Sequence, residues 1–165
     1  MINEYADYMK KTLFPHIKIF IITAVACLTF MLLVTLIPQG AIWDNAKQSA
    51  GYFQETPLFE KTAGSLENFK RDNYADCITT GIAYHLGNGN GYEAVIRADF
   101  NHVTGENVNV SFYREMAGEA VETESYSRYW HGTAGVVRLF LILMDIQTLR
   151  HVIAVVGIVL NAALA

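Results

Sequence analysis

Apolar residues gather at the two ends of this chain, and polar residues fill its centre. Ile19 to Ile37 (IFIITAVACLTFMLLVTLI) carries no charge, proline or glycine. A helix of that length reaches about 28 Å, close to the roughly 30 Å hydrocarbon core of a bilayer. A cleaved leader has a shorter apolar run, roughly 7–15 residues, that ends at a small-residue cleavage site. Here the exit is Pro38-Gln39-Gly40-Ala41-Ile42-Trp43, which lacks such a site. The pattern therefore predicts a retained transmembrane helix over 19–37. Residues 1–18 lead into it, with Ile2, Tyr5, Met9 and Leu13 at helical spacing and Pro15 interrupting before the span.

The polar centre, 38–128, reads as a mostly helical outer domain. Over 41–54, Ile42, Ala46, Ser49, Ala50 and Phe53 share one helical face. That helix is read as interfacial, lying on the outer membrane surface with Trp43 and Tyr52 at headgroup level; packing on the soluble part is the alternative. Residues 56–71 read as loop, with Pro57, Gly64 and Ser65 as punctuation. Asp72-Asn73 can cap a helix over 74–86, with Asp76 in its first turn. Gly87-Asn88-Gly89-Asn90-Gly91 is a turn; no Lys-Ser/Thr follows it, as a phosphate loop would require. Residues 92–100 suit a short helix or a strand, and 108–113 alternate like a strand or begin a helix to Met116. Residues 118–127 form an acidic loop.

Apolarity returns after Gly132. Residues 129–144 are expected to form a second span, 145–151 (DIQTLRH) a cytoplasmic turn, and 152–165 the start of a third span cut off at Ala165. One helix over 133–165 is the other topology, and it places an Asp-Arg pair in mid-membrane at some cost. The fold class expected is thus a mainly α membrane protein: one long N-terminal span, an outer domain and a C-terminal hairpin.

Charge orients this arrangement. Lys10, Lys11 and Lys18 flank the first span and no Lys or Arg follows it until Lys47, so the N-terminus is expected to be cytoplasmic and 38–128 extracytoplasmic. Residues 38–132 hold thirteen acids against seven Lys and Arg, which offers nucleic acid no basic face. The two cysteines, Cys27 and Cys77, make no disulfide framework.

Candidate chemistry falls in two places. Arg128, Tyr129, Trp130 and His131, followed by Arg138, are suited to a lipid phosphate at the outer interface; the aromatics alone also suit simple anchoring. Asp72 and Asp76 share one face of a helix start and offer a general base or a divalent-metal site. Capping and helix-dipole stabilisation account for the same two acids. No metal or cofactor is required by the pattern, and His85, His102 and His131 lack zinc-ligand spacing.

The stretches Asp72–Tyr84 (DNYADCITTGIAY) and Tyr126–His151 (YSRYWHGTAGVVRLFLILMDIQTLRH) resemble the N-terminal part of a group of uncharacterised multi-pass bacterial membrane proteins of the Firmicutes type. Their plan is similar to that of C-superfamily glycosyltransferases, which use polyprenyl-phosphate sugars. The resemblance implies Asp76 as base, with Arg128, His131 and Arg138 contacting lipid phosphate or sugar. It also implies a bacterial plasma-membrane location, with further spans supplied by a longer chain or a neighbouring subunit. Leu139 stands where a proline would be expected after the membrane arginine. The expectation from a different class is a small membrane-anchored protein whose outer domain binds a partner or scaffolds a complex without catalysis.

Overall fold

The computed structural model describes residues 9–61, 70–128 and 131–165. It is mainly helical, with seven α-helices and four three-residue strands among the described residues. Helix α1 is Phe14–Val34, entered through a π-helical turn at Met9–Leu13. Pro15 sits in its first turn, where a missing N–H removes no helical bond, so it begins the helix instead of interrupting it. A 3-10 turn, Gln39–Ala41, leads to α2, Trp43–Glu55. Strands β1 (Phe59–Lys61) and β2 (Lys70–Asp72) pair antiparallel ahead of α3, Asn73–His85. Then come α4 (Gly91–Arg97), β3 (Asp99–Asn101), α5 (Val108–Met116) and β4 (Thr123–Ser125), with β3 and β4 antiparallel. Helices α6, Gly132–Phe140, and α7, Ile146–Leu164, close the chain.

Among the described residues, two helices are long and apolar enough to cross a membrane: Lys11–Val34 and Ile146–Leu164. Nearly every residue from Ile19 to Thr29 and from Val152 to Leu164 is exposed, the opposite of a core helix. Only the last two turns of α1 enter the domain, where Met31 and Val34 are buried. The helix ends at Val34, three residues short of the expected limit, because Thr35–Ile37 turn toward Pro38.

The C-terminal third differs from the expected hairpin. In place of a span over 129–144, α6 is nine residues long, and its buried Ala134, Gly135 and Arg138 face α1 and α3. Small side chains allow this approach: a Cβ at Gly135 would lie 2.7 Å from Met31 Sδ and 3.0 Å from Phe30 Cε1. In place of a polar break over 145–151, Asp145 caps α7. Its Oδ1 accepts from Gln147 N at 2.8 Å and Thr148 N at 3.1 Å, and Thr148 Oγ1 donates to its Oδ2 at 2.8 Å. The segment 152–165 therefore continues one helix and does not start a separate one.

The core joins these helices: Ile42, just before α2, and Ala46, Ala50 and Phe53 within it cluster with Ile78, Ile82 and Ala83 of α3 and Val108, Phe112 and Met116 of α5. The apolar face read over 41–54 is thus a packing face within the domain, and not the membrane-surface face expected of an interfacial helix, because Ala46, Ala50 and Phe53 are taken up by the core. Residues 92–100 resolve into α4 followed by β3, and 108–116 into α5. The stretch 56–71 carries β1 and the start of β2, and the acidic loop carries β4.

Candidate functional site

Both acids singled out on α3 hold the fold together. Asp72 is its N-cap, accepting from Ala75 N at 2.9 Å. Asp76 receives the Arg150 guanidinium, Nε to Oδ2 at 2.8 Å and Nη2 on the same oxygen. Tyr52 Oη lies 3.0 Å from Arg150 Nη1 and 3.0 Å from Arg71 Nη1, and Arg71 continues to Glu60 Oε2 at 3.0 Å. This relay ties α7 to α2, α3 and the first hairpin. It also places Arg150 beside Asp76, whereas the hairpin topology put them on opposite membrane faces. No cluster of three metal-ligating side chains occurs among the described residues, and Asp72 and Asp76 form none.

Arg138 is fully buried. Its guanidinium donates to Val34 O at 3.0 Å, Ile37 O at 2.6 Å, Tyr84 O at 3.0 Å and Ala83 O. Val34, Ala83 and Tyr84 lie in the last turns of α1 and α3, where carbonyls run short of intrahelical donors, and Ile37 lies in the turn that follows α1. Burial lowers its pKa to about 10, with Tyr84 acting in the opposite sense, so it stays charged at neutral pH. It faces backbone, away from any lipid phosphate. Arg128 is exposed on the turn before α6, and Tyr129 and Trp130 lie outside the described residues.

His131 is buried at the N-cap of α6, against the Tyr126 ring at 5.8 Å. Its ring bonds the Tyr126 backbone, and its Nε2 is buried without a hydrogen-bond partner among the described residues. Burial lowers its pKa, partly offset by the Tyr126 bond. The folded state therefore favours neutral imidazole, and the stability this confers is present above the unfolded value of about 6.5 and lost as pH falls below it. Denaturation midpoints between pH 7.5 and 5.5 should drop more steeply for wild type than for His131→Gln. Parallel profiles would refute that assignment.

A cleft of about 460 Å³ was not legible from motif spacing. His85 from α3 and Glu115 from α5 line it, and Asn101 from β3 bonds both of them. His85 Nε2 lies 3.0 Å from Glu115 Oε2 and 3.2 Å from Asn101 Oδ1; Nδ1 lies 3.2 Å from Asn88 Nδ2. Asn101 Nδ2 also donates to Glu115. Burial raises the Glu115 carboxyl, but His85 and Asn101 outweigh it and hold the pKa below the usual range. With both His85 nitrogens engaged, the atom set presented to the cleft is an ionised carboxylate. Glu93 and Asp99 add two more, against Arg97. That lining suits a hydrogen-bond-donating or cationic group better than a phosphate.

No protein family matches the chain, nor does any curated protein or any solved structure. The class that the fold itself defines is a mainly helical protein with two membrane-length apolar helices flanking a packed domain.

Proposed function

We propose that this is an integral membrane protein of two spans, α1 and α7, whose intervening domain is an anchored binding module. Its ligand-facing feature is the His85–Glu115 cleft. The observation that carries the reading is the use made of the candidate catalytic groups. Arg138 fastens the domain to the end of α1, and Asp76 fastens it to the first turn of α7 through Arg150. A glycosyl transfer based on Asp76 would first have to break that ion pair, and Arg138 has no path to a lipid phosphate. The flanking lysines favour a cytoplasmic N-terminus in a bacterial plasma membrane, an extracytoplasmic domain and a return of the chain through α7.

Cysteine accessibility tests the topology. With Cys27 and Cys77 replaced by Ser, Lys11→Cys and Ala165→Cys should react with an impermeant maleimide only after the cells are opened. Glu119→Cys, on the domain surface, should react in intact spheroplasts. Labelling of Ala165→Cys alongside Glu119→Cys, or release of the protein by alkaline carbonate, would overturn the two-span reading.

A further inference from the structure

Gly89 belongs to two concavities at once. On one side it lines the polar cleft with His85, Asn90, Arg97, Asp99 and Glu115. On the other it closes a groove of about 430 Å³ along the end of α1, lined by Thr29, Leu32, Leu33 and Leu36. The turn is pressed onto α1 at Gly91, where any Cβ would collide with the Thr35 hydroxyl. Gly89 itself has φ +73°, a left-handed geometry that glycine adopts without strain. The polar cleft and the apolar groove beside the end of α1 are thus neighbours that share Gly89 as lining. A free polar metabolite needs only the cleft, and an acyl chain alone needs only the groove. The junction suits a molecule with both parts.

We infer that the cleft and groove together bind one membrane lipid, with an ammonium-bearing head beside Glu115 and an acyl chain along Leu32, Leu33 and Leu36. The inference rests on α1 lying in the bilayer. Charge selects the head: three carboxylates face one guanidinium, and Arg97 is already paired with Glu93 at 3.7 Å and Asp99 at 3.1 Å. Glu115, at the inner wall, is held by His85 at 3.0 Å and accepts from Asn101 Nδ2, and with Glu93 and Asp99 it leaves the cleft richer in acceptors than in cationic donors. A primary ammonium supplies three donors to such a wall, where a phosphoglycerol head brings no cationic donor.

The test uses the full chain in phosphatidylglycerol nanodiscs. These are doped with lipids whose acyl chain carries a benzophenone and whose head is either phosphoethanolamine or phosphoglycerol. After illumination, the ethanolamine probe should label the α1 peptide containing Leu33 and Leu36 about tenfold more than the glycerol probe, the ratio that ~1.4 kcal/mol of preference produces. Glu115→Gln should bring the two probes to parity. Leu36→Trp, at an exposed position that leaves the core intact, should reduce labelling by the ethanolamine probe. Equal labelling by both heads in wild type, or a preference that survives both substitutions, would overturn the inference alone. Stronger labelling by an uncharged glycosyl-diacylglycerol probe would overturn the choice of head. Absence of α1 labelling by every probe would overturn the anchored reading with it.

Discussion

Replacing Arg138 with leucine is expected to destabilise the protein by at least ~3 kcal/mol, a loss of fold and not merely of an activity. The guanidinium is fully buried and bonds four carbonyls at the ends of α1 and α3 and in the turn after α1. Leucine removes the donors, at roughly 1–3 kcal/mol for each buried acceptor left unsatisfied, although Val34 O keeps its bond from Ile37 N at 3.2 Å. Lysine does not rescue it. An ammonium offers three donors from one point, where the planar fork reaches carbonyls on opposite sides. A companion substitution tests the geometry from its other wall. A Cβ at Gly87 would run into Arg138 Nη2 and lie 3.0 Å from Cζ, so Gly87→Ala should also lower the midpoint with Arg138 still present. Denaturation in detergent checks both. An Arg138→Leu protein with the wild-type midpoint would show that the four bonds contribute nothing.

The position of Arg138 also shows where sequence reading succeeded and where it failed. The existence of α1 was legible because unbroken apolarity over a bilayer length has few other uses. Its end was not, since Thr35–Ile37 are as apolar as the helix and only the turn at Pro38 shortens it. The stretch after Gly132 looked like a span because packing against protein and packing against lipid demand the same apolar residues. What separated them was Ala134-Gly135 and an arginine three residues on, a pairing that admits close helix approach and then needs backbone acceptors. Asp145 followed by Gln147 and Thr148 is a helix start, and polarity alone made it resemble a break. The capping role of Asp72 was legible locally. The partner of Asp76 was not, because Arg150 lies 74 residues away. The His85–Asn101–Glu115 cluster was invisible for a similar reason. Its members come from three elements, 16 and 14 residues apart, and nothing in their spacing marks them before α3, β3 and α5 are packed.

Phe53→Ala is expected to cost about 3–5 kcal/mol, the range for emptying a phenylalanine site in a packed core. Against a total stability of roughly 5–15 kcal/mol, that is enough to unfold a marginal domain. Phe53 is completely buried where three helices meet. Its ring lies 5.6 Å from the Tyr52 ring centroid and carries Arg150 Cζ at 5.6 Å above it, and its carbonyl accepts from Asn109 Nδ2 at 3.1 Å. Truncation therefore empties the α2–α5 contact and withdraws the surface on which the first turn of α7 rests. Two readouts should move together: the denaturation midpoint, and the reactivity of a cysteine placed at Leu149, which is buried at the start of α7. Phe53→Leu keeps most of the volume and should cost less than ~1.5 kcal/mol while leaving the cysteine protected. A Phe53→Ala protein within ~1 kcal/mol of wild type would mean that the site collapses around the smaller side chain. In that case α7 would be held by the Ile146 N–H, which donates to Ser49 Oγ at 2.9 Å, and by the Arg150 relay, without help from the core beneath it.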